Sequence, residues 1–227
     1  MKSFFWNDLE LLPQRAVWSA VERALFVADV HIGKAASFRA AGLPAPAGTT
    51  RENLARLDAL IEALDPKTIV ALGDLFHAPE AYRDASKREF LAWRGRRARL
   101  EIRLVLGNHD PRAGAPPDAL GLQVVSEPHH FGAIECRHQP LEIDDAVGPY
   151  VLAGHTHPMA RLRGPGHDSA RLPCFVMRGR LLVLPAFGEF TGGRIVEADT
   201  ETALCIIAGD QCLHAPATTP TPLRQRL

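Results

Sequence analysis

Four short apolar runs, at residues 24–28, 68–72, 102–106 and 150–153, set the pattern of the chain. Each run stops at a glycine or an aspartate: Asp29, Gly73, Gly107 and Gly154 follow them directly. Apolar runs of this length, bounded by turn residues, are typical of strands buried on both faces of a sheet. We therefore predict buried strands at these positions.

Helical periodicity lies between these strands. Residues 51–64 place leucine and isoleucine on one helical face, and Thr49 with Glu52 predicts a capping box before them. A second helix is predicted at residues 85–97, with Phe90 and Trp93 on its apolar side. Alternation of strands and helices predicts an α/β fold with the helices outside.

The later part of the chain is strand-like without long helices. Its apolar runs at residues 133–136, 175–177, 181–184 and 203–207 predict a second, mostly antiparallel sheet packed on the first. We expect one domain over residues 1–214. The Pro- and Thr-rich residues 215–227 can bury little surface and are expected to form a disordered tail.

Composition narrows the class of protein. The chain has 227 residues, 46% of them hydrophobic, and its 26 basic and 26 acidic residues cancel. This neutrality argues against indiscriminate binding to nucleic acid or membrane, so a polyanion would need a local basic patch. No apolar run is long enough for a secretion signal or a membrane span.

The four cysteines, which show no CxxC spacing, favour buried free thiols in a reducing compartment. A Cys205–Cys212 disulfide is the alternative interpretation. We expect a cytoplasmic protein.

Side chains that bind metals follow the predicted strands. Asp29 and His31 are two residues apart, as are His155 and His157, and such spacing puts both side chains on one side of an extended segment. Sites in open α/β sheets form where strands reach their carboxyl ends. The complete set of candidate ligands is Asp29, His31, Asp74, Asn108, His138, His155 and His157.

This set mixes carboxylate, amide and imidazole groups, which suits Mn, Fe, Zn or Co better than Ca or Mg. One ion cannot use so many protein ligands and keep open positions, so we expect two divalent ions, with manganese favoured, that share Asp74. Such ions stand about 3.5–4 Å apart, clamp a phosphate and lower the pKa of a water between them. His138 has no local motif to support it, and His129 and His130 are its alternatives. Ordinary loop residues at strand ends would explain each motif alone, but not all of them in this order.

The motifs DxH at Asp29, GD at Asp74, GNHD from Gly107 and GHxH from Gly154, together with His138, resemble those of the calcineurin-like metallophosphoesterases. The resemblance implies a four-layer α-β-β-α sandwich, with two mixed sheets flanked by helices. It also implies that His109 faces the substrate, as a proton donor to the leaving oxygen or as a stabiliser of transition-state charge, and that Asp110 or a backbone carbonyl holds it. The implied ligands are Asp29, His31, Asp74 and His157 for one metal, and Asp74, Asn108, His138 and His155 for the other.

The sequence Gly73-Asp74-Leu75-Phe76-His77 narrows the substrate. It lacks the second aspartate that phosphoprotein phosphatases of this family carry, and it is similar to that of double-strand-break repair exonucleases. In those enzymes the matching histidine lies at the active site, so the resemblance implies that His77 orients the substrate phosphate. A helix-start histidine without a catalytic role is the alternative.

Residues 33–50 and 184–193 look like those of the bacterial DNA-ligase-associated metallophosphoesterases, which are DNA-damage-response endonucleases. This implies a DNA phosphodiesterase that acts beside a DNA ligase, a helicase and another nuclease. Lys34 and Arg39 could contact flanking phosphates, with Phe38 available for base stacking; a surface connector anchored by Phe38 is the alternative. Rival functions are a phosphodiesterase of cyclic nucleotides or nucleotide diphosphate esters, and a non-catalytic scaffold.

Overall fold

The computed structural model describes residues 2–77, 85–110, 118–141, 148–163 and 168–217. Within these ranges, a seven-stranded sheet is built in chain order. Its first three pairings are antiparallel, and the pairings from the fourth strand onward are parallel. The strands are β1 Phe4–Trp6, β2 Leu9–Leu12, β3 Ala16–Ser19, β4 Ala24–Val27, β5 Thr68–Leu72, β6 Glu101–Val105 and β7 Gln123–Val125.

A second sheet of nine strands uses the described residues from 129 to 215. The strands are β8 His129–Phe131, β9 Ile134–Cys136, β10 Tyr150–Ala153, β11 Pro158–Arg163, β12 Ser169–Arg178, β13 Leu181–Val183, β14 Arg194–Val196, β15 Thr202–Ala208 and β16 Gln211–Ala215. Their order is β14-β11-β12-β13-β10-β9-β8, and β15 pairs with both β12 and β16. Strand β10 is parallel to both of its neighbours, so this sheet is mixed as well.

The helices of the described residues belong to the part of the chain that builds the first sheet. They are α1 Lys34–Ala40, α2 Thr49–Leu64 and α3 Ala85–Arg96, with a 3-10 turn at Asp118–Leu120. Leucines of α2 and the rings of Phe90 and Trp93 in α3 join Ile69 and Ile102 of the sheet in one buried cluster. These two helices therefore cover one face of the first sheet.

The opposite face of the first sheet packs on the second sheet. Phe26 and Leu72 lie in one buried cluster with Leu152 and Phe175 from the other sheet, and all four side chains are fully buried. Burial of one such side chain contributes about 1.5–3 kcal/mol, so this layer holds the two sheets together. The predicted α/β sandwich with two mixed sheets is confirmed.

Local details differ from the prediction at the helix ends. Helix α2 begins at Thr49 and is capped by Gly48, whose φ is 86° and which offers no side chain, so the predicted capping box is wrong. Helix α3 ends at Arg96, one residue before the predicted end. The antiparallel strands β1 to β3, which the sequence pattern did not predict, place the N-terminal segment at one edge of the first sheet.

Three further expectations concern the termini and the cysteines. Strand β16 ends at Ala215, which therefore belongs to the second sheet; of the predicted tail, residues 218–227 lie outside the described residues. All four cysteines are free thiols, so the alternative of a Cys205–Cys212 disulfide is wrong. Among the described helices, none has the length and apolar character to cross a membrane.

Candidate active site

Loops that leave the carboxyl ends of β4, β5, β6, β9 and β10 meet at one edge of the sandwich. They bring potential ligand atoms into two groups, in each of which the atoms lie within 4.8 Å of one another. The first group is Asp29, His31 and His157, and the second is Asp29, Asp74 and His138. Asp29 is common to both groups, and Asp74 belongs to the second; the sharing of Asp74 by two ions stays a prediction.

The backbone conformation at these ligands differs from the extended one that the sequence suggested. The ligand pairs are not extended: φ is 53° at Asp29 and 49° at His31, and 70° at His155 and 47° at His157. Asp74 is also left-handed, with φ of 49°. Asp and His enter this region more readily than bulky residues do, but the conformation still costs free energy. The explanation from extended segments is therefore wrong, although the side chains do converge.

Glycines give the loops room to approach one another. A Cβ atom on Gly107 would lie 2.3 Å from Oδ1 of Asp74, and one on Gly154 would lie 2.7 Å from Oδ2 of Asp29. Real Cβ atoms do not come so close to other heavy atoms, so any larger residue would displace the carboxylates. These glycines thus set the positions of the two aspartates.

In the first group, His157 lies close to two other potential ligand atoms. Its Nε2 lies 3.3 Å from Oδ1 of Asp29 and 3.3 Å from Nε2 of His31. The second oxygen of Asp29 accepts a hydrogen bond of 2.8 Å from the backbone N–H of His155. This bond fixes the carboxylate so that Oδ1 points at His157.

At the second group, atoms of Asn108 and His155 join the Asp74 carboxylate around Nε2 of His138. Oδ1 of Asn108 lies 2.8 Å away, Nδ1 of His155 lies 3.1 Å away and Oδ2 of Asp74 lies 3.6 Å away. Nδ1 of His138 donates to the carbonyl of Leu72 over 3.1 Å, which leaves Nε2 as the unprotonated nitrogen. Several acceptor atoms therefore converge, as they do around a cation.

The alternatives to His138 lie elsewhere. His129 and His130 are on β8, and Nε2 of His129 is 3.4 Å from the guanidinium of Arg103. Glu127, which no sequence motif indicated, accepts a 2.7 Å hydrogen bond from the backbone N–H of His138 and so helps to position that residue.

The residues present fit metal ions on three grounds. Among the described residues, the buried atoms Oδ1 of Asp29 and Nδ1 of His31 have no hydrogen-bond partner. Burial, followed by the charge of Lys34, lowers the pKa of His31 strongly, so its ring is the neutral form that binds metals. When each metal–nitrogen bond is about 2.1 Å, two imidazole nitrogens on one ion stand about 3.0–3.4 Å apart, which matches the spacing of His31 and His157.

His109 lies beside both groups with 30% of its side chain exposed. Its backbone N–H donates to Oδ1 of Asp74 over 2.8 Å, and its Nε2 is 4.0 Å from the other oxygen of that carboxylate. The ring stacks on His77, with 5.0 Å between centroids and an angle of 26° between planes. His77 in turn meets the edge of the His31 ring at 5.3 Å.

Asp110 has a different role from the one expected. Its Oδ2 accepts hydrogen bonds of 2.8 Å from the backbone N–H groups of both Gly107 and Asp74, and its Oδ1 accepts one of 3.4 Å from Phe76. Burial raises the pKa of Asp110 to about 6, with a further contribution from the charge of Asp74, against these backbone bonds. The carboxylate therefore holds two metal loops together, and does not hold the His109 ring.

The residues proposed to bind substrate divide into two sets. Lys34 is half-buried near the carboxylates of Asp29 and Asp74. Burial lowers the pKa of Lys34, and the charges of these two aspartates oppose that shift. Its Nζ donates a hydrogen bond to the carbonyl of Thr191 over 3.2 Å. Phe38 meets His77 at 6.3 Å. Arg39, by contrast, donates to the carbonyls of Ala45 and Pro46 in its own connecting loop and reaches none of the metal groups of the described residues.

Phe190 is a residue of this region that sequence reasoning missed. Its ring meets the Phe38 ring edge-on at 5.4 Å. The stretch 184–193, which contains it, was singled out by the sequence, but nothing in that pattern indicated which side chain would lie beside the metal ligands.

Comparisons with known proteins show which family the chain resembles. A family model described as calcineurin-like phosphoesterase matches residues 22–157, which is more than half of the chain. The crystal structure of Pseudomonas putida nuclease MPE is 41% identical, with a TM-score of 0.78, and the match covers 90% of this chain and 94% of that one. A phosphoesterase from E. coli, Yfce, is 15% identical with a TM-score of 0.43 over 86% of this chain and 99% of that one. A comparison with curated proteins gives no match.

Proposed function

Because the chain belongs to the calcineurin-like phosphoesterases, and is thus a metal-dependent hydrolase of phosphate esters, we propose that it is a dinuclear phosphodiesterase that cleaves DNA. We propose further that it is an endonuclease or end-processing nuclease that works in DNA repair beside a DNA ligase, with a helicase and a second nuclease. The nuclease identity of the relative at 41% identity supports a nucleic acid substrate.

The observation that carries the proposal is the pair of adjacent ligand groups around Asp29. Asp29, His31 and His157 would hold one ion, and Asn108, His138 and His155 the other, with Asp29 and Asp74 between them. Two ions held in this way supply charge that neutralises phosphate oxygens and lower the pKa of an attacking water. The mixed oxygen and nitrogen donors favour manganese over magnesium or calcium.

Three side chains beside the ligands complete the proposed chemistry. His109 is exposed enough to reach a leaving oxygen, and we assign it the donation of a proton to that oxygen. His77 is assigned the orientation of the His109 ring, on which it stacks, and of the substrate phosphate. Lys34 places a cation beside the carboxylates, where it can attract the phosphate of the substrate.

We also propose that the protein is cytoplasmic. DNA repair beside a ligase would take place in the cytoplasm of a bacterium, and the four free thiols are compatible with a reducing compartment. The ligase and the helicase are proposed as partners from the resemblance of residues 33–50 and 184–193.

Kinetic measurements on metal-reconstituted protein test the proposal. Purified protein is stripped with a chelator, reloaded with Mn, Mg or Zn, and assayed on a chromogenic phosphodiester and on single-stranded, nicked and flapped labelled DNA. We expect manganese-dependent cleavage of the chromogenic diester and of DNA. Cleavage of the chromogenic diester with every DNA left intact would instead favour a phosphodiesterase of small molecules.

His109→Ala tests the assigned proton donor. We expect kcat to fall by about 100-fold or more, because a positioned general acid contributes about that much, while metal analysis still finds both ions. His130→Ala, which removes an exposed histidine from β8, is the matched control and should cleave at the normal rate. If the His109 variant kept full activity, that residue would have no part in the reaction.

A further inference from the structure

A cavity of about 470 Å³ opens directly beside the candidate metal centre. Its walls are the loop of residues 185–193 on one side and the β11–β12 hairpin on the other, and His157 stands at its inner end. The volume lies within the range of small-molecule sites in proteins. A ligand in this cavity would therefore touch the metal ligands and extend away from them.

The loop wall of the cavity is fixed in place. The backbone N–H of Phe187 donates to the carbonyl of Ala28 over 2.8 Å, and the N–H of Gly188 donates to the carbonyl of Asp29, the first metal ligand, over 3.1 Å. At the other end of the loop, a Cβ on Gly193 would lie 2.5 Å from the carbonyl of His157, so the loop also lies tightly against the last metal ligand. The cavity is thus preformed and shares its backbone contacts with the metal loops.

Phe190 presents an aromatic ring to this cavity at a conformational cost. Its φ is 61°, a value that is a genuine outlier for a bulky residue, and the residue is 38% exposed. An aromatic side chain held in an unfavourable conformation and left partly exposed is better explained by a contact with a ligand than by packing. A planar nucleobase is the ligand that such a ring binds by stacking.

Arginines supply positive charge on the hairpin wall. Arg171 lines the cavity, and Arg161 lies directly opposite it in the β11–β12 pairing. Like charges at such paired positions repel, and neither guanidinium forms an ion pair with the part of the chain that the structure describes. The other arginine-rich segment, on α3 and after it, contacts Asp58 and Glu62 instead.

The remaining charges of the cavity are already paired. Arg15 and Glu189 line it, and they lie 3.3 Å apart, while Glu189 also pairs with Arg56 at 2.7 Å. The cavity therefore keeps unpaired positive charge on one wall and an aromatic ring on the other, which is the pattern that a nucleotide requires.

We propose that this cavity is the subsite for the nucleotide next to the scissile phosphate, with its base on Phe190 and its backbone phosphates at Arg171 and Arg161. The inference rests on the proposed function and deepens it, because it makes a strand of nucleic acid, rather than a small diester, the substrate that fills the site.

Binding and kinetic measurements on two variants test the subsite. Phe190→Asn removes the ring but keeps a residue that tolerates a positive φ, and the second variant combines Arg161→Ala with Arg171→Ala. The matched controls are Phe5→Asn, on the edge strand β1, and Arg178→Ala, an exposed arginine at the far end of β12. Thermal melting establishes that each variant is folded.

The first readout is the binding of a dye-labelled single-stranded oligonucleotide to metal-free protein, followed by fluorescence anisotropy. We expect Phe190→Asn to weaken binding about fivefold or more, because stacking of one base contributes that much. The double arginine variant should reduce the slope of log K against log salt by about 1.4, the value for two phosphate contacts on a single strand. The control variants should bind as the wild type does.

The second readout separates the subsite from the metal chemistry. In both subsite variants, the ratio of kcat/KM for the oligonucleotide to kcat/KM for the chromogenic diester should fall about tenfold, because the small diester has no second nucleotide to place. Unchanged oligonucleotide binding and an unchanged ratio, with the chromogenic diester still hydrolysed, would overturn the subsite alone. A wild type that hydrolyses neither diester would overturn the proposed function, and the binding measurements would still decide the subsite.

Discussion

At the scale of single residues, the candidate centre depends on how closely backbone segments approach one another. Two hydrogen bonds position Asp74. Its Oδ1 accepts a hydrogen bond from the backbone N–H of His109, and its own backbone N–H donates to the carboxylate of Asp110. Gly107 lies against the same carboxylate with no space for a Cβ atom. The position of Asp74 is therefore determined by three residues of the β6 loop: Gly107, His109 and Asp110.

Gly107→Ala should weaken the metal centre and the fold together. The added methyl group would lie 2.3 Å from Oδ1 of Asp74, so the loop has to move, at a cost of about 1–3 kcal/mol in the free energy of unfolding. Calorimetric titration with manganese should show weaker binding of at least one ion.

Gly95→Ala is the matched control, because Gly95 lies in α3 with no atom within 4 Å of an added Cβ. This change should leave metal binding intact and stabilise the protein by up to about 1 kcal/mol. Tight binding of two ions by the Gly107 variant would show that Asp74 is not constrained in this way.

The residue types of the site could be predicted from the sequence, but their backbone conformations could not. Aspartate, asparagine and histidine after buried strands indicate ligands because few other roles place them there together. Nothing in the pattern indicated that Asp29, His31 and Asp74 adopt positive φ, since that depends on contacts with distant loops. The same limit explains Asp110, whose neighbours along the chain suggested a contact with His109, whereas its carboxylate turns to backbone N–H groups of two loops.

At the scale of elements, the loop of residues 185–193 is tied to α2 through Arg56. The guanidinium lies over the Phe187 ring at 4.3 Å, donates to the carbonyl of Phe187, and pairs with Glu189 at 2.7 Å. Burial raises the pKa of Glu189, but the hydrogen bond and charge of Arg56 and the charge of Arg15 outweigh it, so the pKa lies below its usual value.

This shift predicts a pH-dependent contribution of Glu189 to stability. A carboxyl whose pKa is lower in the folded state stabilises the protein above its unfolded pKa, near 4.5, and loses that contribution as the pH falls. Glu189→Gln should therefore be less stable than the wild type at pH 7, with a difference that shrinks below about pH 4.5. Urea unfolding at several pH values measures it; a difference that grows on acidification would contradict the assignment.

Elements with a strong apolar pattern were predicted well, and weakly patterned ones were missed. Strands β5 and β10 have the predicted bounds, because both are continuous apolar runs that end at glycine. Strands β1 to β3 were missed because they are only three or four residues long, with turns between them that interrupt any periodicity. Helix α1 was missed for a related reason: seven residues are too few to show a helical face.

At the scale of the whole molecule, the candidate metal site forms where loops of the two sheets meet. The first sheet contributes Asp29, Asp74 and Asn108 from the ends of β4, β5 and β6, and the second sheet contributes His138 and the pair after β10. Neither sheet alone supplies a complete ligand group, since each group of the described residues combines both. The zero net charge is consistent with this arrangement, because the positive charge that a polyanion needs is local to the cavity wall.

The most direct test is a crystal soaked in manganese, with diffraction data that locate the ions by anomalous scattering. We predict two peaks about 3.5–4 Å apart, one next to His31 and His157 and the other next to His138 and Asn108, with Asp29 and Asp74 between them. A single peak, or peaks away from these side chains while the protein remains folded, would contradict a dinuclear centre at this edge of the sandwich.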